Sequence, residues 1–423
     1  MSHSVISFKN IRIQGLNIFY RESGPASGPV LLLLHGYPTS SFMFRNLIPI
    51  LSTSCRAYRV IAPDLPGFGF SDAPPHDKFE YTFDHLAAVM QQFIEELKLE
   101  RFVLYIFDYG APVGLRLAVA NPGKIAGLIT QNGNAYEEGL SEGWNPIQRY
   151  WEDPTEANRY YLQRFLTIQA THYQYEQGVS DPALIAPETI TLDQHFLDRE
   201  GNVEIQLDLL KDYQNNVRLY PTFQGYFRKY QPATLAVWGN RDPYFLPAGA
   251  EAYRKDNPKA TVKFYDTGHF ALETHAGEIG RDILTFLQGI KGYGDATPTG
   301  VTVRPSSLPV KETIDMLQAF LEKAGVTVYS RIDQQNELTK AGLSSGPIEF
   351  ILFGNPKAGG PVMIERPIAA LELPLKVAAY EDARGKVWIA YNQGGYIRER
   401  YGLSAGVSEP LNLDGIIAKA FGA

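Results

Sequence analysis

The run Phe102 to Gly114, FVLYIFDYGAPVG, admits few folds. An apolar stretch, FVLYIF, ends abruptly at Asp108, and the small residues Gly110 and Ala111 open straight into a helical pattern. That is a strand, a turn of almost no length and a helix, with a carboxylate at the apex. Such a turn lifts one side chain above the end of a sheet and aims the following backbone N–H groups, and the helix N-terminus behind them, at the same point. Ser in G-x-S-x-G is the usual occupant; here Asp108 takes the nucleophile position, Gly110 keeps the close-packed place two residues on, and Ile106 stands where the first Gly would be. Taken alone, the pattern also fits a helix N-cap without chemistry.

The flanking chain decides for a sheet. Residues Ile6 to Tyr20 alternate apolar and polar around Gln14-Gly15, which reads as an edge hairpin. Val30 to Leu34 is a continuous apolar strand of the kind buried on both faces, ending in His35-Gly36-Tyr37-Pro38. Tyr58 to Ala62 is a further strand, followed by the Gly-rich turn DLPGFGFSD at 64 to 72, and Leu86, Met90, Phe93, Ile94 and Leu97 recur at helical spacing. Strands alternating with helices in this way predict an α/β domain with a mostly parallel sheet and ligands at the carboxyl ends of its strands.

After the strand Gly127 to Gln131 the alternation stops, and residues 136–230 read as a helical, aromatic insertion rich in Tyr, Trp and Gln. The sheet resumes with Thr234 to Trp238 and Thr261 to Tyr265 and closes with a helix carrying Ile279, Ile283, Leu284 and Leu287. The predicted organisation is a core of residues 1–135 and 231–290, a cap of 136–230, a Gly/Pro-rich linker of 291–305 and a smaller α+β unit of 306–423.

Composition narrows the function. The 423 residues suffice for about two domains, and 20% charged with 44% hydrophobic residues describe an ordinary globular chain. A net charge of −7 without a Lys/Arg cluster argues against a nucleic-acid partner. No apolar run is long enough to span a bilayer and no leader pattern opens the chain, so a cytoplasmic protein without a membrane partner is expected. The only cysteine, Cys55, reads as a packing residue. No His/Asp/Glu spacing suggests a metal, and GFGF lacks the acidic partner of a dinucleotide site, so neither metal nor cofactor is expected.

A nucleophile at a strand end needs a base oriented by an acid, and donors for developing charge. Asp242 follows the strand TLAVW and His269 follows TVKFY, both at carboxyl ends. The order nucleophile, acid, histidine is that of α/β-hydrolase sites. The backbone N–H groups of Tyr37 and Tyr109 are the candidate oxyanion donors. Asp64 and Asp72 read as turn caps, His35 as packing, and His172, His195 and His275 as structural or exposed.

Together the HGYP turn, DLPGFGFSD, Asp108, Asp242 and His269 resemble the α/β-hydrolase superfamily, in particular its epoxide hydrolase and haloalkane dehalogenase branch, over residues 1 to about 290. The resemblance implies an inserted cap and hydrolysis of a C–O or C–halogen bond through an alkyl ester on Asp108. Aspartate suits this because it is ionised near neutral pH and displaces a leaving group from saturated carbon directly, leaving His269 free to activate water. In haloalkane dehalogenases a Trp follows the nucleophile and a Trp or Asn assists; here Tyr109 and Tyr37 occupy those places, and the Arg of fluoroacetate-type dehalogenases is absent. Epoxide hydrolases use cap tyrosines as proton donors. The candidates include Tyr136, Tyr150, Tyr160, Tyr161, Tyr173, Tyr175, Tyr213, Tyr220 and Tyr226, with Tyr220 in RLYPTFQ preferred and Trp144 as a candidate wall. The expected substrate is a small apolar or aryl epoxide, with a haloalkane or haloacid as the alternative and a silent binding module as a third reading.

The C-terminal unit resembles a small bacterial α+β family of unknown function through its first helix, IEFILFGNP and LPLKVAAYEDARGKVWIAY. It contains no His, its Gly-rich loop at 354–360 is too weak a phosphate signal, and an interaction or homodimerisation role is expected of it.

Overall fold

The computed structural model describes residues 6–54, 58–290, 293, 300–382 and 385–422. Cys55 lies outside them. The chain divides into two compact units, residues 2–296 and 297–423.

In the first unit a hairpin, β1 (Ser7–Ile13) and β2 (Leu16–Ser23), leads into β3 (Val30–Leu34), β4 (Arg59–Pro63), β5 (Phe102–Phe107), β6 (Ile125–Gln131), β7 (Thr234–Gly239) and β8 (Thr261–Tyr265). The sheet order is β1-β2-β4-β3-β5-β6-β7-β8. β2 runs antiparallel to its neighbours, and every pairing from β4 to β8 is parallel. This is the α/β fold with a mostly parallel sheet that the alternation predicts.

Both faces of the sheet are covered, which explains its unbroken apolar runs. Leu32, Leu34, Leu104 and Ile106 pack on helices α2 (Phe83–Glu96) and α3 (Gly110–Ala120) through Phe83, Met90, Val113 and Leu117. Leu31, Leu33, Val103 and Tyr105 pack on α1 (Leu47–Ser52) and on a long helix at the end of the unit through Leu47, Ile48, Ile279 and Ile283. Each fully buried aliphatic or Phe side chain contributes about 1.5–3 kcal/mol. Gly110 is required where α3 meets β3, because a Cβ there would lie 2.3 Å from the Leu34 carbonyl oxygen.

Between β6 and β7 stands a helical cap: α4 (Asn145–Glu152), α5 (Glu156–Leu162), α6 (Ile168–Glu176), α7 (Pro187–Leu197) and α8 (Asn202–Tyr230), the last with Pro221 in its interior. α9 (Pro247–Asp256) and α10 (Ala271–Gly289) follow β7 and β8.

The second unit is an antiparallel sheet of order β10-β11-β12-β13-β9, formed by β9 (Val301–Ser306), β10 (Thr327–Asp333), β11 (Ile348–Gly354), β12 (Leu375–Glu381) and β13 (Val387–Asn392). Ile351, Phe353, Val377, Ala379, Ile389 and Tyr391 point to one face, covered by Ile314, Leu317 and Leu321 of α11 (Val310–Lys323) and by Ile417. β9 corrects one expectation. The linker reading extended to residue 305, yet residues from Val301 pair with β13 as an edge strand, where Pro305 is tolerated.

Candidate active site

Three strand ends converge on Asp108. It follows β5 with φ +46°, a left-handed backbone that an L-residue adopts at a cost, and α3 begins two residues later. The carboxylate is buried at 5% exposure. The Tyr37 N–H, from the turn after β3, donates to its Oδ1 at 2.6 Å, and the Tyr109 N–H donates to the same carboxylate. Asp242 follows β7, and its Oδ2 accepts from His269 Nδ1 at 2.7 Å. The other ring nitrogen, Nε2, faces Asp108 Oδ2 at 3.8 Å and has no hydrogen-bond partner.

The charges follow from this burial. Desolvation pushes the Asp108 carboxyl up to about 6, against the pull of His269 and the two amides. Burial opposes the imidazolium of His269, but the Asp242 carboxylate and then Asp108 outweigh it and raise its pKa. With Nδ1 committed to Asp242, Nε2 is the nitrogen free to take a proton.

Asn132, first after β6 and also left-handed at φ +43°, is a participant that sequence reading missed. Its Nδ2 donates to Asp242 Oδ2 at 2.6 Å, and its Oδ1 accepts from the Gly239 N–H at 3.0 Å. Its place at the carboxyl end of a central strand was the available signal. Tyr244 was missed as well: its N–H donates to Asp242 Oδ1 at 2.7 Å and its ring lies 6.2 Å from that of His269.

Aromatic rings wall the site. Tyr109 stands 5.7 Å from Tyr37, 5.0 Å from Phe83 and 5.9 Å from Tyr213 of α8. Trp144 lies 4.5 Å from Tyr213, and its Nε1 donates to the Tyr244 carbonyl, so this N–H is committed. Among the cap tyrosines it is Tyr213, rather than the preferred Tyr220, whose hydroxyl feels the Asp108 charge; burial, then Tyr220, then Asp108 hold it well above the usual phenol range. It makes no hydrogen bond of ordinary length and interacts with the Tyr220 hydroxyl, which accepts from Asn134 Nδ2 at 3.2 Å. The spacing of seven residues puts both tyrosines on one face of α8. Tyr136 is engaged elsewhere, donating to Asp256 Oδ2 at 3.0 Å. Asp64 caps the turn it was expected to cap, accepting from Ser41 and Phe70 N–H, and His35 is held between the Gly36 carbonyl and the Leu65 N–H. Tyr150, Tyr173 and Tyr175 have partners in Arg159, Tyr244 and Asp193, while Tyr160 and Tyr161 are exposed and Tyr226 packs on Phe227. Among the described residues no helix is long and apolar enough to cross a membrane, and no cluster of metal-ligating side chains is found.

Known proteins resemble this arrangement. Residues 29–276 match the alpha/beta hydrolase fold family, and residues 301–419 match the domain of unknown function DUF302. The uncharacterized hydrolase YNR064C of Saccharomyces cerevisiae is 45% identical over 295 residues, which are 68% of this chain and 99% of that protein. A haloalkane dehalogenase of Mycobacterium marinum is 42% identical over 118 residues, 28% of this chain and only 39% of that enzyme. Epoxide hydrolase 2 of Caenorhabditis elegans is 26% identical over 260 residues, 59% of this chain and 69% of the other. The fold is shared with the haloalkane dehalogenase DbeA of Bradyrhizobium elkani, with a TM-score of 0.56 at 22% identity over 68% of this chain and 99% of that one. An Asp-bearing turn after β5, an acid after β7, a histidine after β8 and the match across residues 29–276 lead to one conclusion: the chain belongs to the α/β-hydrolase fold family, with a DUF302 domain at its C-terminal side.

Proposed function

We propose that this hydrolase opens a small apolar or aryl epoxide through an ester on Asp108. Asp108 Oδ2 attacks a ring carbon, the C–O bond breaks towards oxygen, and the Tyr213 hydroxyl supplies the proton to the leaving alkoxide. His269 Nε2 then takes a proton from a water that attacks Asp108 Cγ. The resulting oxyanion is Oδ1, already facing the Tyr37 N–H at 2.6 Å. Collapse releases the diol, whose second proton comes from His269, and the proton left on the Asp108 carboxyl returns to the Tyr213 phenolate, so that both side chains are restored. Such amide donors are worth about 10²–10³ in rate.

The observation that carries this reading is His269, bound to Asp242 on one side and 3.8 Å from Asp108 on the other. It supports an active site over a silent one. For the leaving group, Tyr37 and Tyr109 stand where a halide would want nitrogen donors, the Trp144 N–H is occupied by the Tyr244 carbonyl and the Tyr37 O–H by the Phe165 carbonyl, while the Tyr213 hydroxyl makes no hydrogen bond of ordinary length. A small apolar substrate suits the aromatic wall. The second reading, dehalogenation, has the local likeness to haloalkane dehalogenases in its favour.

The test is the intact mass of a His269→Gln variant after incubation with styrene oxide or with 1-bromohexane. A gain equal to the whole epoxide establishes ring opening by Asp108. A gain equal to a hexyl group without bromine makes the enzyme a dehalogenase. No adduct in a folded variant removes the alkyl-ester mechanism for both classes.

A further inference from the structure

The Tyr37 amide that faces Asp108 is not held by the core alone. The Tyr37 hydroxyl donates to the backbone carbonyl of cap residue Phe165 at 2.7 Å. Its own carbonyl accepts from Nε2 of Gln174, a buried residue of α6, at 3.1 Å. Two residues on, the Thr39 hydroxyl sits beside the buried carboxylate of Asp193 from α7. Three separate cap segments therefore grip the turn that carries the oxyanion donor.

The same end of α6 also presses on the turns that carry the acid and the base. A Cβ at Gly268, one residue before His269, would lie 2.0 Å from the Gln177 carbonyl oxygen. A Cβ at Gly178 would lie 2.4 Å from the carbonyl oxygen of Arg241, one residue before Asp242. Tyr175 stacks flat on Phe270 at 3.8 Å, immediately after His269. Residues 174–178 thus abut all three turns at once. With its hydroxyl and its own carbonyl both tied to the cap, Tyr37 is fixed on two sides of its Cα, which limits the rotation that would turn the adjoining N–H away from Asp108.

We infer that Gln174 is a positioning residue for the oxyanion donor, so that seating the cap on Tyr37 is what makes the ester on Asp108 hydrolysable. This rests on the aspartyl-ester reading above. The two chemical steps need the Tyr37 N–H in opposite ways. In the first, negative charge leaves the Asp108 carboxylate for the epoxide oxygen, so a donor to Oδ1 favours the starting state and its loss does not slow attack. In the second, full charge develops on Oδ1, and a donor displaced by a fraction of an ångström no longer meets it. A loosened Tyr37 therefore stalls the enzyme as its ester.

The experiment compares wild type, Gln174→Leu and Tyr37→Phe with styrene oxide, recording steady-state kinetics and the intact mass of enzyme quenched during turnover. Tyr37→Phe cuts the Phe165 tether while keeping the ring, so the two variants test the two ends of the same residue, and either one that folds decides. The expected result is a kcat lower by roughly 10- to 100-fold with KM lower in parallel, kcat/KM held within about threefold, and ester accumulating only in the variants. A merely structural role would lower kcat/KM without accumulation, and that outcome, or unchanged kinetics, overturns the inference. His269→Gln serves as the control. If it traps the epoxide while Gln174→Leu and Tyr37→Phe do not, the positioning role alone fails. If it traps nothing, the ester mechanism fails and the inference falls with it.

Discussion

Asn132 Nδ2 and His269 Nδ1 share one oxygen, Oδ2 of Asp242, at 2.6 and 2.7 Å. The amide thus draws off part of the charge that holds the imidazolium. Replacing Asn132 with Ala leaves that charge undiluted, so His269 keeps its proton to higher pH. If His269 activates the water as proposed, its neutral ring is the active form, and the acid limb of ester hydrolysis should move upward, by roughly half to one pH unit. The decay of a preformed ester followed against pH checks this. An unshifted limb would mean that Asn132 serves only the Gly239 N–H.

Alkylation should have its own limb. On the proposed mechanism Asp108 attacks as the carboxylate, and burial has pushed its pKa up to about 6. In His269→Gln the cation that lowers it is gone, so the rate of adduct formation should rise with pH through a midpoint at or above 6. Once Asp108 is esterified, its charge no longer raises the His269 pKa, and the base is released at the moment it is needed. A flat adduct rate between pH 5 and 8 would contradict this order.

The same burial has a stability consequence with a definite sign. A carboxyl raised from 3.8 to about 6 in the fold disfavours the folded state when ionised, fully above pH 6 and not at all below about 3.8. Asp108→Asn should therefore stabilise the hydrolase unit by roughly 2–3 kcal/mol at pH 8 and by little at pH 3.5. Thermal melts of the two proteins at both pH values measure it, and equal shifts at both would show that the charge is not the cause.

Much of this site can be read from sequence because parallel strands buried on both faces appear as unbroken apolar runs. Asp108 and Asp242 each follow such a run, and His269 follows the half-exposed edge strand TVKFY beside them, so chain order brings all three to one edge. The cap does not yield in this way. Which face of α8 meets the core is set by Tyr109, Phe83 and Trp144, and no local pattern distinguishes Tyr213 from Tyr220. Tyr136 is likewise an aromatic of the cap stretch, yet its hydroxyl is bound to Asp256, a contact no local pattern shows. The Gln174 contact to Tyr37 joins residues 137 positions apart. β9 hid for another reason: VTVRPS is a half-exposed edge strand whose Pro305 continues the Gly/Pro character of the stretch before it.

The end of the hydrolase unit is marked by Tyr293. Its hydroxyl accepts from the Val103 N–H at 3.1 Å and donates to the Val30 carbonyl, tying it to two central strands. Tyr293 belongs to the hydrolase core, so a chain ending at residue 296 keeps both bonds and should fold on its own. A chain ending at residue 290 lacks Tyr293, leaves a buried N–H unpaired, and should lose about 3 kcal/mol. Denaturant melts of the two truncations decide it.

Tyr213 separates the two leaving groups. Its hydroxyl lies in the field of Asp108, stays protonated because burial holds its pKa up, and lacks a hydrogen bond of ordinary length. On the proposed mechanism an alkoxide leaving from an epoxide takes that proton as the C–O bond breaks, whereas a halide leaves without one. Tyr213→Phe in the His269→Gln background keeps the ring that packs on Trp144 and Tyr109, so the wall is preserved. Adduct formation with styrene oxide should slow by about 10²-fold while any adduct with 1-bromohexane forms at an unchanged rate. Tyr220→Phe, whose hydroxyl is shared with Asn134, should slow the epoxide reaction less. If both reactions slowed equally, Tyr213 would be part of the wall and the proton would come from another group.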